Sequence, residues 1–78
     1  MSTILLTGGA GFIGSHIAET YTRKGWRVAI VDDFSSGTME NLAAIKDAPN
    51  VTIYHADIRD RENLREIFAE VRPDVVNH

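Results

Sequence analysis

Gly8, Gly11 and Gly14 stand three residues apart, behind the apolar run Ile4-Leu5-Leu6 and ahead of a stretch with helical periodicity. Three glycines so spaced between a strand and a helix are the pattern of a turn that cradles phosphate. The first can take backbone angles that a side chain forbids. The second has no Cβ, so a pyrophosphate can lie against the main chain, and the third lets the helix pack closely on the strand. The helix that begins there offers unpaired N–H groups and the positive end of its dipole. The chemistry predicted is the binding of a dinucleotide.

Asp32 supplies the second element of such a site. It ends the next apolar run, 18 residues beyond Gly14, where a carboxylate can accept both hydroxyl hydrogen bonds of an adenosine ribose. A 2′-phosphate on that ribose would be repelled by Asp32, and Asp33 adds to the repulsion. No Arg or Lys lies between Val28 and Ala44 to neutralise it, so NAD is expected rather than NADP. Asp57 follows the third apolar run. It can face the adenine amino group or simply cap a turn. His16 reads as a surface residue, and His55 has no second ligand at metal spacing, so no metal site is expected. Gly14 is followed by Ser15-His16 rather than Lys-Ser/Thr, which argues against a P-loop. The Asp32-Asp33 pair would suit a phospho-receiver pocket, but that fold has no need of the glycine turn. A methyltransferase remains the remote alternative.

These residues need a sheet to bring them together. Residues 3–7 read as a strand, and 12–24 as a helix with Ile13, Ile17, Ala18 and Tyr21 in helical register and Gly25 as its stop. Residues 26–32 read as the second strand and Phe34-Ser35-Ser36-Gly37 as a turn. Thr38 is placed to cap a short helix over about 39–47. Residues 51–56 read as the third strand. Asp60 is a good N-cap for a helix whose Leu64, Ile67, Phe68 and Val71 form one apolar face, with Arg72-Pro73 closing it. Residues 74–78 open a fourth strand. This β-α-β-α-β-α-β order predicts an α/β fold, half of a doubly wound Rossmann sheet. Right-handed crossovers give the parallel strand order 3-2-1-4, with helices on both faces. The first two helices are expected on one face and the third on the other.

Composition is consistent with that class. The chain has 78 residues, is 44% hydrophobic and carries a net charge of −3, with eleven acids, eight bases and no cysteine. Its length suits one small domain, 1–78, that buries roughly 60% of its unfolded surface. No basic patch points to nucleic acid. No apolar run nears the roughly 20 residues of a membrane span, and no signal peptide is visible. A cytoplasmic setting is expected.

Taken together, these motifs resemble the extended short-chain dehydrogenases/reductases, in particular the NAD-dependent epimerases and dehydratases of nucleotide sugars. The stretch from Thr7 to His16, TGGAGFIGSH, is similar to that family's opening. Val31 to Gly37, followed by Glu40-Asn41-Leu42, is similar to its second-strand exit, and Ala56 to Asp60 to its third. Asp74 to His78 is similar to the start of its fourth strand. The resemblance implies that Phe12 and Ile13 give main-chain contacts to the pyrophosphate. It implies that Asp32, Asp33, Phe34, Ser35, Ser36 and Gly37 wrap the adenosine, and that Asp57 and Ile58 flank the adenine. Asp33 stands where the family often has asparagine, and Asn77 puts an amide where an aliphatic residue is frequent.

The resemblance also implies catalysis by a Tyr-x-x-x-Lys pair beyond the fourth strand, with tyrosinate as base and NAD as hydride acceptor. Four residues after Tyr21 comes Gly25, and four after Tyr54 comes Ile58, so neither tyrosine makes the pair. The expectation is a chain truncated within or just after its fourth strand, with NAD or another adenine nucleotide as ligand and no catalytic residue of its own. The exposed edge of that strand is expected to pair with a second copy.

Overall fold

A computed structural model describes residues 2–77. Four parallel strands, β1 (Thr3–Thr7), β2 (Arg27–Asp32), β3 (Val51–His55) and β4 (Val75–Asn77), lie in the order β3-β2-β1-β4. Helix α1 (Phe12–Arg23) crosses from β1 to β2, and α2 (Arg61–Val71) crosses from β3 to β4. The expected doubly wound half-sheet is therefore present.

Alternation along the strands sorts the core into two layers, because successive side chains point to opposite faces. Ile4, Leu6, Val28 and Ile30 face one way and pack with Ala18 of α1 and with Leu42 and Ile45. Leu5, Ala29 and Val31 face the other way and pack with Ile67 of α2. The register aligns Ile4 with Val28 and Leu6 with Ile30, so each layer is continuous across the sheet. Both faces of β1 and β2 are covered, which is why these strands are apolar runs rather than alternating ones.

The chain ends α1 by a Schellman closure. Gly25, at φ +83°, donates its N–H to the Thr22 carbonyl at 3.1 Å, and the Trp26 N–H reaches the Tyr21 carbonyl at 3.1 Å. The Tyr21 and Trp26 rings meet edge to face at 4.8 Å over this closure. Trp26 is thus spent on the helix end, and β2 starts one residue later than its apolar pattern suggests. Asp60 caps α2 as expected, accepting from the Asn63 N–H at 3.1 Å. Asp74 docks β4 onto β1. Its carboxylate accepts from the Thr3 N–H, and its own N–H donates to the Thr3 carbonyl, both at 2.8 Å.

The expected helix over about 39–47 is a correction. Only Met39–Leu42 is helical, as a 3₁₀ helix capped by Thr38, and turns follow it. Successive i→i+3 bonds, Ala43 to Glu40 at 3.2 Å and Ile45 to Leu42 at 3.0 Å, carry the segment. A three-residue repeat eclipses Leu42 and Ile45 on the buried side, and a single i→i+4 bond, from the Lys46 N–H to the Leu42 carbonyl at 2.8 Å, follows. Asn77 is exposed, as are Val75 and Val76, so its amide needs no buried partner. His78 lies outside the described residues.

Candidate functional site

The glycine turn forms because β1 ends where the chain must reverse into α1 above the sheet. Gly8, at φ +70°, sits in the left-handed region, and its N–H is held by the Val31 carbonyl at 2.8 Å. The Gly11 N–H returns to the Gly8 carbonyl at 3.1 Å. At Gly14 a Cβ would fall on that same carbonyl oxygen and 3.0 Å from the Gly9 Cα, so the helix can approach the turn only without a side chain there. At Gly11 the nearest atom to a Cβ would be 3.4 Å away and at Gly8 nothing lies within 4 Å, which leaves the outer side of the turn open. Gly11 caps α1, and the helix has no acidic residue in its first turn. The first N–H groups of a helix lack partners within it. Phe12 and Ile13, both 74% exposed, stand at this end.

Asp32 lies at the end of β2, where parallel pairing with β1 sets it beside the turn. It is only 7% exposed. One carboxylate oxygen accepts from the Ala10 N–H at 2.9 Å and the other from the Phe34 N–H at 2.7 Å. The sequence points to a ribose acceptor, and the fold adds that Asp32 first ties the turn to the β2 exit. Each carboxylate oxygen has a second lone pair, so capacity for ribose hydroxyls remains.

Gly8, Asp32, Asp33, Ser36 and Ile58 line one cleft of about 160 Å³ with Val31 and Ala56, at the carboxyl edge of the sheet. Asp33 accepts from both the N–H and the hydroxyl of Ser35, at 3.0 and 2.8 Å, and these bonds hold its pKa below the usual aspartate value. Phe34 sits at φ +60°, turns its ring into the core layer beneath α1, and meets the His55 ring edge to face at 5.1 Å. Gly37 is buried against Ala10, where a Cβ would come within 2.6 Å of the Ala10 carbonyl carbon. Phe34, Ser35 and Gly37 do not line this cleft themselves.

Asp57 is not in that lining. The Arg59 guanidinium holds it, Nη2 at 2.7 Å and Nε at 3.1 Å, and the Arg59 N–H adds a bond at 2.9 Å. These bonds bring its pKa down to about 2. Of the two readings of Asp57, the structure describes the turn aspartate: its carbonyl accepts from the Asp60 N–H at 3.0 Å. A separate hollow of about 210 Å³ lies between Arg27, Asn50, Thr52, Tyr54 and Glu70, among others. Burial and, less so, the Glu70 carboxylate push the Tyr54 hydroxyl up, so this phenol is held protonated. Among the described residues no His/Asp/Glu group of three or more is placed to hold a metal. No helix of the described residues is long and apolar enough to cross a membrane.

Sequence reasoning missed Gly9 and a role for Asn41. A Cβ on Gly9 would strike the Ile30 side chain at 2.6 Å, so a glycine is needed there for packing. The Asn41 amide donates to the Ala10 carbonyl at 2.9 Å, across 31 residues of chain. The Glu40-Asn41-Leu42 triplet was the available signal, but nothing local reveals its partner.

A parallel sheet with this order, carrying a glycine turn between β1 and α1 and an aspartate at the end of β2, defines the first half of a Rossmann-type dinucleotide-binding domain. The family model described as GDP-mannose 4,6 dehydratase matches residues 5–78. The chain is 44% identical over its whole length to 24% of the UDP-glucose 4-epimerase of Neisseria meningitidis serogroup A. It superposes with TM-score 0.91 on the dTDP-glucose 4,6-dehydratase of Bacillus anthracis in complex with NAD, at 30% identity, covering 97% of this chain and 26% of that one. The UDP-glucose 4-epimerase of Thermus thermophilus complexed with NAD gives 0.80 at 40% identity, over 95% and 22%. The chain belongs to this family, whose members are NAD-dependent epimerases and dehydratases of sugar nucleotides. It spans about a quarter of the length of the curated relatives it matches.

Proposed function

We propose that residues 1–78 are the NAD-binding N-terminal portion of a nucleotide-sugar epimerase, with UDP-glucose 4-epimerisation as the activity of the whole protein. The observation that carries this is the joining of an open glycine turn to Asp32 at the carboxyl edge of the sheet. The turn fits an anion: its outer side is free of side chains, and the helix behind it has no acid in its first turn. In this reading the main chain of Gly8, Gly11, Phe12, Ile13 and Gly14 holds the pyrophosphate. Asp32 takes the ribose hydroxyls, the segment Asp33 to Gly37 wraps the adenosine, and Asp57 and Ile58 flank the adenine. When bound, NAD supplies the hydride acceptor. The residues described here bind and orient its adenosine end, and the tyrosine base belongs to a part of the protein outside this chain. Tyr54 lacks the partner lysine of that pair, since Ile58 stands four residues on. A cytoplasmic setting belongs to the same reading and is supported by the lack of cysteine.

Titration of the ¹⁵N-labelled chain with NAD and NADP tests this. NAD is expected to shift the amides of Gly8 to Gly14, Asp32 to Ser36 and Ile58, with NADP markedly weaker because its 2′-phosphate meets Asp32 and Asp33. No response at millimolar NAD would sink the reading.

A second reading rests on β4. Among the described residues it pairs with β1 alone, and Val75 and Val76 are 40% and 37% exposed on this edge. Such an edge offers unpaired main-chain groups to another strand. Pairing with β4 of a second copy about a two-fold axis would make an eight-stranded sheet, whether or not NAD binds. Sedimentation checks it: a monomer at high concentration excludes this self-association.

A further inference from the structure

Ala10 lies in the middle of the glycine turn and is buried. Its N–H donates to Asp32. Its carbonyl accepts twice from the segment that follows β2: from the Thr38 N–H at 3.1 Å and from the Asn41 side-chain amide at 2.9 Å. Thr38 in turn steadies Asn41, whose N–H donates to the Thr38 hydroxyl at 3.4 Å. Gly37 fits against the same peptide with no room for a side chain. Three anchors from one loop therefore converge on one peptide of another.

The consequence follows from peptide geometry. In a trans peptide the C=O and the next N–H point in opposite directions. With the Ala10 carbonyl drawn to Asn41 and Thr38, the Gly11 N–H must point the other way, where the Gly8 carbonyl accepts it at 3.1 Å. Gly11 then enters α1 as its cap. Glycine tolerates almost any backbone angle, so the Gly11 side of this peptide does little to stop it turning over. A turned peptide would set its carbonyl oxygen against the Gly8 carbonyl, where the Gly11 N–H now bonds, and so would break the hydrogen bond that shapes the turn ahead of α1.

We propose that Asn41 is the latch of the glycine turn, a positioning residue that sets the Ala10–Gly11 peptide in one orientation before any ligand arrives. Its effect on ligand binding rests on the reading that the turn takes a dinucleotide; the latch itself does not. The side-chain donor is what matters, so Asn41→Asp keeps the shape and removes the bond. An acid in the first turn of a helix is well tolerated, and this variant is expected to fold. Asn41→Ala removes the donor without adding charge.

Amide hydrogen exchange on the ligand-free 78-residue chain decides the latch. Both variants are expected to speed exchange of the Gly11 amide about fivefold, the worth of one net hydrogen bond, while Ile30 in the sheet stays unchanged. An unchanged Gly11 rate overturns the proposal. So does a uniform rise that includes Ile30, because Asn41 would then hold the fold and not the turn. Binding supplies the second readout. Asn41→Ala is expected to weaken NAD and ADP about fivefold and to leave adenosine, which has no phosphate, unchanged. Equal weakening of NAD and adenosine overturns the proposal. Faster Gly11 exchange in a chain that ignores NAD would support the latch and remove the dinucleotide reading instead.

Discussion

Asp32 ties Ala10 to Phe34 and is buried, yet it also lines the cleft, as the proposed ribose contact requires. Asp32→Ala leaves the buried Ala10 N–H without an acceptor, and the expected cost is about 2 kcal/mol, read as a lower urea midpoint at unchanged slope. Asp57 is the contrasting carboxylate, half-buried and set by one neighbour. Arg59 depresses its pKa to about 2. A depressed folded value means that the pair is intact above the ordinary aspartate range and is lost as pH falls through about 2. A carboxyl-carbon NMR titration is expected to place the Asp57 midpoint there. In Arg59→Gln the midpoint moves back up towards the ordinary value.

At the scale of elements, the helix ends decide where the strands begin. The Schellman closure at Gly25 turns the chain into β2 and so fixes the register that sets Asp32 beside the turn. Gly25→Ala meets no atom within 4 Å, so its effect is purely conformational: an L side chain at φ +83°. A loss of about 1 kcal/mol is expected in chemical denaturation, with the structure otherwise retained. The segment after β2 shows the converse. Its pattern suits a helix, yet the sheet requires only that Leu42 and Ile45 be delivered to the core. A short 3₁₀ helix does this while bringing Asn41 to Ala10.

For the whole molecule the balance is narrow. A domain of this size has a stability of roughly 0.05–0.15 kcal/mol per residue. Leu6 is buried at the centre of the layer beneath α1. Leu6→Ala is expected to cost about 3 kcal/mol, a large part of that margin, and to lower the thermal midpoint more than any site substitution named above. Circular dichroism melts of the variants side by side check the order.

The sequence by itself determined the β-α-β alternation, the sheet order, the faces taken by the helices and the glycine turn with its aspartate. These are set by local periodicity, by glycine and proline, and by the fixed handedness of crossovers, so they can be read without knowing what touches what. Only the tertiary structure decided that Asp32 spends two hydrogen bonds on main chain, that Asp57 belongs first to Arg59, that Gly9 yields space to Ile30, and that Asn41 reaches Ala10. Each of those depends on which side chains meet once the two loops lie over one sheet edge. Contacts of that kind span tens of residues, and no spacing along the chain records them.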